Sequence, residues 1–437
     1  MDTIAVFLLF FVSLLLGIYN GILLLYPLLF GLGCFIFLAL RRGFPLADLG
    51  GMMMQGVDKS LIVLKIFVLI GAITAVWRAC GTVSFIVYYG TTYMSEQYFI
   101  LFSFLLCCLV SFLLGTSFGT VGTIGVVLII LAKSGGVNIN VAAGAIIAGA
   151  YFGDRCSPMS SSASLVAALT ETKLYTNIKN MLVSALLPLA LSVAGYAILS
   201  HWHPLVFQSN QISAEILQSF DIGLVVLLPA LIILVAAAFR IDVKLSMGLS
   251  VLAGVLIGIF VQHKTLADML QYIVLGYHTA ETGFFAGIIQ GGGLYSMLNV
   301  AAIVLISSAF SGIFAGTGLL HEMEQFIVRL SHKIGLYPAT ILTSTAASAF
   351  GCNQTLAIIL THQFTHKIYR QCQLSNYRLA LDLENTVVVI SALIPWNIAG
   401  AFPAAALSAD AGFILYAFYL FLVPLTNLFT SQAKVAE

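Results

Sequence analysis

The sequence predicts an all-α polytopic membrane protein, with about eleven or twelve transmembrane helices and two inverted-topology repeats containing broken or re-entrant helices. Three observations carry the prediction. Hydrophobic residues fill 60% of the 437 positions and charged residues only 8%, where soluble domains carry about 25% charged. Apolar runs near the roughly 20 residues needed to cross a bilayer recur along the whole chain. The runs are continuous, as in "LIVLKIFVLIGAITAVW" and "IGLVVLLPALIILVAAAF", whereas a membrane β-barrel shows alternating segments of about ten residues.

The first run, "MDTIAVFLLFFVSLLLG", has no positive n-region and no A-x-A site before the next apolar run. It reads as a first span over Thr3–Gly17, not a cleaved signal peptide. Further spans are expected at Ile22–Leu40, Leu61–Trp77, Phe99–Leu114, Thr123–Leu131, Val137–Phe152 and Ser164–Thr170. After them come Met181–Ser200, Ile222–Phe239, Leu245–Val261, Leu298–Ala315, Thr340–Thr361, Ala380–Ile394 and Phe413–Phe429. Several are too short to cross alone and read as halves of broken helices or re-entrant hairpins.

Lys and Arg set the expected orientation. Arg41-Arg42 with Lys59, Lys173 with Lys179, and Arg240 with Lys244 mark cytoplasmic loops, while the stretch from His201 to Phe220 has no Lys or Arg and is expected outside. The loop carrying Lys367, Arg370 and Arg378 fits this pattern less well. A net charge of +1 gives no basic field for nucleic acid. Seven scattered cysteines without a C-x-x-C pair argue against a disulfide framework or zinc site. His362 and His366, spaced i, i+4, read as a metal pair or as a polar helix face, the second being the simpler.

Three matches suggest an internal repeat. "PLADLGGMMMQG" ends at Gly56 and "TLADMLQYIVLG" at Gly276; "FGTVGT" from Phe118 pairs with "FGCNQT" from Phe350; Asp154 and Glu384 follow at similar spacing. The charge pattern puts Asp48 inside and Asp268 outside, so the repeats have opposite topology, an arrangement of secondary transporters. The expected organisation is an N-terminal span over 1–21, a first repeat over 22–200, an external loop over 201–221, a linking span over 222–244 and a second repeat over 245–437.

Four segments interrupt their helices with Gly, Pro or polar residues: "LGTSFGTVGT", "YFGDRCSPMSSSAS", "AFGCNQT" and "DLENTVVVISALIPWN". Irregular backbone survives at membrane depth only where protein buries it or it lines a cavity. A carboxylate at a helix centre costs about 2.5–3.5 kcal/mol on insertion scales, so Asp154 and Glu384 are expected to face away from lipid. A carboxylate in a polar cavity can trade a proton for a cation. The alternative for Asp154 is an ion pair with Arg155 or a loop-end cap. An ion or substrate site is expected from Asp154, Ser157, Ser160, Ser161, Asn353, Gln354, Thr355, Glu384, Asn385 and Thr386, with Thr116, Thr120, Thr123 and Asn397 lining the path. For Ser160, Ser161, Ser162 and Ser164 the simpler reading is backbone hydrogen bonding or packing between helices as small residues. Glu281 reads as a gate or an interfacial residue. There is no H-E-x-x-H and no Walker loop, so no cofactor, resident metal or enzymatic role is expected and ion gradients should drive any transport.

At these segments the sequence resembles the NhaC-type Na+/H+ antiporter family of the ion transporter superfamily. The resemblance runs from about Leu61 to Leu407. It rests on "GTVSFIVYYG", "GTSFGTVGTIGV", "AGAIIAGAYFGDRCSPMS", "QGGGLYSML", "GCNQTLAIIL" and "LENTVVVISALIPWNIAGAF". It implies exchange of Na+ for H+ across a bacterial inner membrane by a multi-pass protein, and related superfamily members suggest a homodimer; the N-terminus is expected in the cytoplasm. Similar relatives move organic acids or other small solutes. The chain departs from the family's usual residues at three places. Ser161 replaces an acid and Ser164 an amide after the Ser-Pro, Asn385 replaces an acid after Glu384, and Gln290 replaces an Arg before the glycines. Two carboxylates of the implied ion site are therefore neutral here, which keeps open a coupled transporter of an amino acid or small organic acid.

Overall fold

A computed structural model describes residues 2–20, 22–23, 25–93, 97–205, 215–239, 241, 243–279, 289–318 and 333–430. Among these the secondary structure is helical, with one isolated antiparallel bridge between Tyr277 and Gly291. The protein is an all-α polytopic membrane protein. Two uninterrupted helices among the described residues, Ser117–Ser134 and Leu174–Trp202, are long and apolar enough to cross a bilayer. Two bent pairs, Phe67–Ala79 with Thr82–Tyr89 and Asn376–Leu393 with Ile398–Ala406, pass the same length and polarity requirements. Shorter apolar helices accompany them.

The chain opens with α1 (Asp2–Tyr19), α2 (Leu25–Arg41) and α3 (Leu46–Ala79). The last starts well before the expected Leu61 because the Leu-Ala-Asp segment after Pro45 is its first turn, with Asp48 near the positive end of the helix dipole. The polar stretch through Gly56 then stays helical by packing on α13 (Leu298–Thr317). A Cβ on Gly56 would run into the Ser308 carbonyl, and one on Gly312 into that of Met52. Small residues thus let the two backbones touch. At Cys80–Gly81 the chain turns by 66° into α4 (Thr82–Tyr93), Gly81 taking a φ of +83°.

The other Leu-Ala-Asp segment also opens a helix, α12 (Leu266–Leu275). Thr265 and Asp268 close a capping box, with Asp268 N–H donating to Thr265 Oγ1 at 3.1 Å and Thr265 N–H to Asp268 Oδ2 at 3.0 Å. Between these lie α5 (Phe99–Leu114), α6 (Ser117–Ser134, with a π-helical turn at Val121–Gly125), α7 (Ile139–Cys156), α8 (Ser161–Leu169), α9 (Leu174–Trp202), α10 (Leu228–Ala238) and α11 (Val243–Phe260). After α13 come α14 (Leu336–Gly351), α15 (Gln354–Gln371), α16 (Asn376–Asn385), α17 (Val387–Ile390), α18 (Ile398–Ala406) and α19 (Phe418–Thr430).

Element boundaries repeat along the chain. Helices α5, α6, α7 and α8 begin at residues 99, 117, 139 and 161, and α14, α15, α16 and α18 each begin 237 residues later, at 336, 354, 376 and 398. Their ends agree at the same offset: 114, 134 and 169 recur as 351, 371 and 406. The capping residues recur too, Thr116 with Asn353 and Ser160 with Asn397. This offset differs from those of the sequence matches, which paired Phe118 with Phe350 and Asp154 with Glu384. The helices place Asp154 opposite Ser391 and Glu384 opposite Ile147 instead, because half-helix lengths repeat while the acids do not.

Two apolar clusters form the interior. One gathers Trp77, Phe104, Tyr151 and Tyr196, the other Phe10, Phe35, Phe310 and Tyr369. Tyr151, Cys156 and Val389 belong to the first, Leu383, Val387 and Val388 to the second, so the broken segments lie along the seam. The long α9 leaves Val183, Leu186 and Leu187 exposed, as a lipid-facing helix does.

Candidate functional site: a buried carboxylate centre between two pairs of helix breaks

The four interrupted segments meet in two pairs. In the first, α5 ends at Gly115 (φ +69°), and a Cβ there would collide with the backbone of Met159 in the α7–α8 break. In the second, α14 ends at Cys352 (φ +53°), whose carbonyl accepts from Ile398 N–H at 3.0 Å beyond the break that follows α17. Gly-Asp-Arg does not itself break its helix. The α-helix α7 runs on through Asp154, Arg155 and Cys156, and the interruption spans residues 157–160. Ser157 Oγ accepts from Met159 N–H at 3.1 Å there. Ser160 caps α8, accepting from Ala163 N–H at 3.2 Å. Carrying both charges inside the helix satisfies their backbone N–H groups. The Asp154 carbonyl, beyond the last helical bond from Ser157 N–H to the Gly153 carbonyl, is left to the serine hydroxyls that follow the break.

Asp154 is buried, and its Oδ2 accepts from Gln354 Nε2 at 3.2 Å. Gln354 also donates to the Val388 carbonyl at 3.1 Å. Ser117 approaches the same carboxylate. Ser117 and Gln354 open α6 and α15, the halves that follow the two repeated breaks, so two helix N-termini converge on one acid, where the positive ends of their dipoles favour an anion. The Asp154 carbonyl accepts from Ser162 Oγ at 2.9 Å and from Ser160 Oγ. Gly115-Thr116-Ser117-Phe118-Gly119 also fits the G-x-S-x-G spacing. Its context is helix–break–helix, not the strand–turn–helix of a nucleophile elbow.

Arg155 forms no ion pair with Asp154, its neighbour in sequence. Successive helical side chains diverge by about 100°, and its guanidinium turns to other helices. Nη1 donates to Tyr419 Oη at 3.1 Å and to the Met181 carbonyl at 3.2 Å, while Nη2 donates to Ser184 Oγ at 2.7 Å and to Asn385 Oδ1. One buried cation thus ties together α7, α9, α16 and α19. Glu384 is fully buried, and neither of its carboxylate oxygens has a hydrogen-bond partner among the described residues. An uncompensated buried carboxylate is costly, so its presence is a functional signal.

A polar file continues from the centre along α14. Ser344 Oγ donates to Thr386 Oγ1 at 2.8 Å, Thr386 to the Asp382 carbonyl at 2.7 Å, and Ser348 pairs with Ser391 at 2.9 Å. It ends at Asp382, which is buried and accepts from Tyr369 Oη at 2.8 Å and Arg378 Nε at 2.9 Å. Asn397 holds two broken segments together. It donates to the Ser348 carbonyl at 2.7 Å, and its Oδ1 caps Ala399 N–H at 3.0 Å. Asn397→Ala removes both bonds, and a loss of about 1–2 kcal/mol is expected, read as a lower unfolding temperature in detergent.

The structure thus brings Asp154, Ser160, Gln354, Glu384, Asn385 and Thr386 to one buried region, with Ser157 and Asn353 at its breaks. Ser161 is exposed, because the helical turn of α8 that points Ser162 inward points Ser161 out. Thr355 is also exposed and offers its N–H to Asn353 Oδ1 at 2.8 Å. Thr120 and Thr123 bond back to carbonyls of their own segment, at 2.9 and 2.6 Å, and Thr116 is a helix cap. His362 and His366 place their ring centroids 5.0 Å apart. Glu281 lies outside the described residues. Sequence reasoning missed Ser117, Tyr419, Ser184 and the Asp382–Arg378 pair; for the last, the i, i+4 spacing was a legible signal.

Comparison with known proteins agrees with this architecture. The model of the Na+/H+ antiporter family matches residues 3–163 and 149–430. The Na(+)/H(+) antiporter NhaC of Alkalihalophilus pseudofirmus is 29% identical over 389 residues, covering 87% of this chain and 84% of that protein. The Malate-2H(+)/Na(+)-lactate antiporter of Bacillus subtilis is 28% identical, with 85% and 81% covered. The Arginine/ornithine antiporter ArcD of Halobacterium salinarum is 25% identical, with 85% and 79% covered. A family match spanning nearly the whole chain, on a fold whose breaks enclose buried acids, has one reading: the chain belongs to the Na+/H+ antiporter family.

Proposed function

We propose that this protein exchanges Na+ or another monovalent cation for H+ by alternating access, with Asp154 and Glu384 as the acids that cation and proton share. The observation that carries the reading is the imbalance of the buried centre. Its guanidinium, on Arg155, spends Nη1 and Nη2 on protein partners, while Glu384 has no hydrogen-bonding partner among the described residues. Arg155 Nε is the one nitrogen of that guanidinium without a partner among the described residues. An anionic substrate would find a single open N–H there, while a cation would find the hard oxygen ligands of two acids. The family and the names of its NhaC relatives support the same cargo.

The helix boundaries recurring 237 residues apart support two repeats, the first within 22–200 and the second within 245–437, joined by the linking span 222–244. Opposite topology of the two would put the site near the bilayer midplane. We place the protein in a bacterial inner membrane with a cytoplasmic N-terminus, working as a homodimer. A second reading, coupled transport of an amino acid or small organic acid, is favoured by the names of two relatives and by Asn385 standing where the family carries an acid.

The test is pH-gradient collapse in proteoliposomes on adding Na+, Li+ or K+ in turn. Collapse by Na+ or Li+ is expected. Silence to every cation, with a response to lactate, malate or arginine, would replace the first reading by the second.

A further inference from the structure

The buried charges around Arg155 can be counted, and the count limits what the centre can exchange. Among the described residues three charged side chains occupy it: Asp154 and Arg155 on α7 and Glu384 on α16. A fourth and fifth, Asp382 and Arg378, cancel in an ion pair at 2.9 Å. The other titratable groups brought near by the helices packed on α16 are phenols and a thiol. They are Tyr337 on α14, Tyr369 on α15, Tyr419 on α19 and Cys156 on α7, all buried and uncharged in their ordinary range. His362 and His366 on α15 lie about two and about three turns from its N-terminus, and Lys179 on α9 is exposed. With both acids ionised the described residues of the centre therefore carry a single uncompensated negative charge.

Asn385 is the residue that makes this so. Its Oδ1 accepts from Arg155 Nη2 and lies 3.3 Å from Ser184 Oγ, filling the place of a hydrogen-bonded counter-ion without a charge. An acid there would neutralise Arg155 directly and leave the other two carboxylates with two charges to balance.

We propose that Asn385, acting through Arg155, makes the transport centre hold one removable positive charge at a time, so that one proton leaves for each monovalent cation that enters and no net charge crosses the membrane. This rests on the antiport reading above. In the cation-loaded form Asp154, Glu384, Arg155 and the cation sum to zero. In the proton-loaded form one carboxylate carries H+ in place of the cation, and the sum is again zero. Loading both would leave the buried centre positive, and emptying it would leave it negative, states that a low-dielectric interior disfavours. Asn385 is a positioning residue here, since it acts on the cargo through Arg155 and the charge count.

The experiment is Na+-driven proton movement in proteoliposomes carrying the full-length protein, with the membrane potential clamped by valinomycin and K+ at inside-negative, zero and inside-positive values. A single net charge moved through about 100 mV shifts an exchange equilibrium by about fifty-fold. The expected result is that the Na+ gradient needed to balance a given pH gradient stays the same at all three potentials. A shift approaching fifty-fold would overturn the one-for-one exchange and leave antiport standing. Absence of any Na+- or Li+-dependent proton movement would remove the antiport reading itself. Asn385→Asp, close in shape, is expected to gain potential dependence. If that variant exchanges at rates like the wild type and stays insensitive to potential, Asn385 does not set the charge.

Discussion

Asp154→Asn is expected to cut cation-coupled proton movement by about a hundredfold while leaving the protein inserted and monodisperse. The substitution is nearly isosteric, and the amide can still present an oxygen to Gln354 Nε2, now 3.2 Å from the carboxylate. The backbone is untouched, so Ser160 and Ser162 keep their acceptor in the Asp154 carbonyl. What disappears is a charge at which two half-helix N-termini converge. A charged hydrogen-bonding partner contributes about 1.5–3 kcal/mol, so a fall in exchange of about a hundredfold is the scale to look for. The measurement pairs dye-reported pH-gradient collapse with size-exclusion profiles of the two proteins. Wild-type exchange in the variant would remove Asp154 from the site.

Gly153→Ala is expected to destabilise the protein more than any other single methyl placed on this helix. A Cβ at Gly153 would overlap the Ser111 carbonyl group and the Phe112 nitrogen, backbone atoms of α5 that cannot rotate away. One turn earlier, Gly149 faces the Phe104 carbonyl in the same way. Together they form a Gly-x-x-x-Gly face on which α5 and α7 meet, with Ser111 Oγ donating to the Ala150 carbonyl across the crossing. Overpacking typically costs about 1–3 kcal/mol, and a backbone clash belongs at the upper end. The readout is the unfolding temperature in detergent. Gly50→Ala is the control, because nothing lies within 4 Å of a Cβ there and helical Gly→Ala is neutral or stabilising. Equal unfolding temperatures for the two variants would show that α5 and α7 can part at the crossing without loss.

The site was partly legible in the sequence. Glycine, proline and polar residues in otherwise apolar runs located all four interrupted segments, because membrane-depth backbone without helical bonding needs a reason. The acids stood out on the same ground. Their surroundings did not. Asp154 and Arg155, adjacent in sequence, were a natural ion pair on paper, yet helical geometry sends them to different neighbours, Gln354 and Asn385 respectively. The serine ladder after Pro158 looked uniform, but α8 turns Ser162 in and Ser161 out. Ser117 was passed over because a small hydroxyl beside glycines carries little signal until a carboxylate is seen next to it.

By itself the sequence determined the solvent, the class and the family of this protein. Composition alone makes it a membrane protein, since an 8% charged chain cannot cover a soluble surface, and run length alone makes it helical. Only the tertiary structure decided which acids meet and what balances them. Asp154 and Gln354 lie 200 residues apart, Arg155 and Asn385 lie 230 apart, and no local pattern encodes such contacts. It also moved the internal correspondence to a constant 237 residues, read from helix lengths and caps. The physical reason is that insertion depends on summed hydrophobicity, which is local and additive, whereas a buried charge is stable only through partners that packing brings from elsewhere.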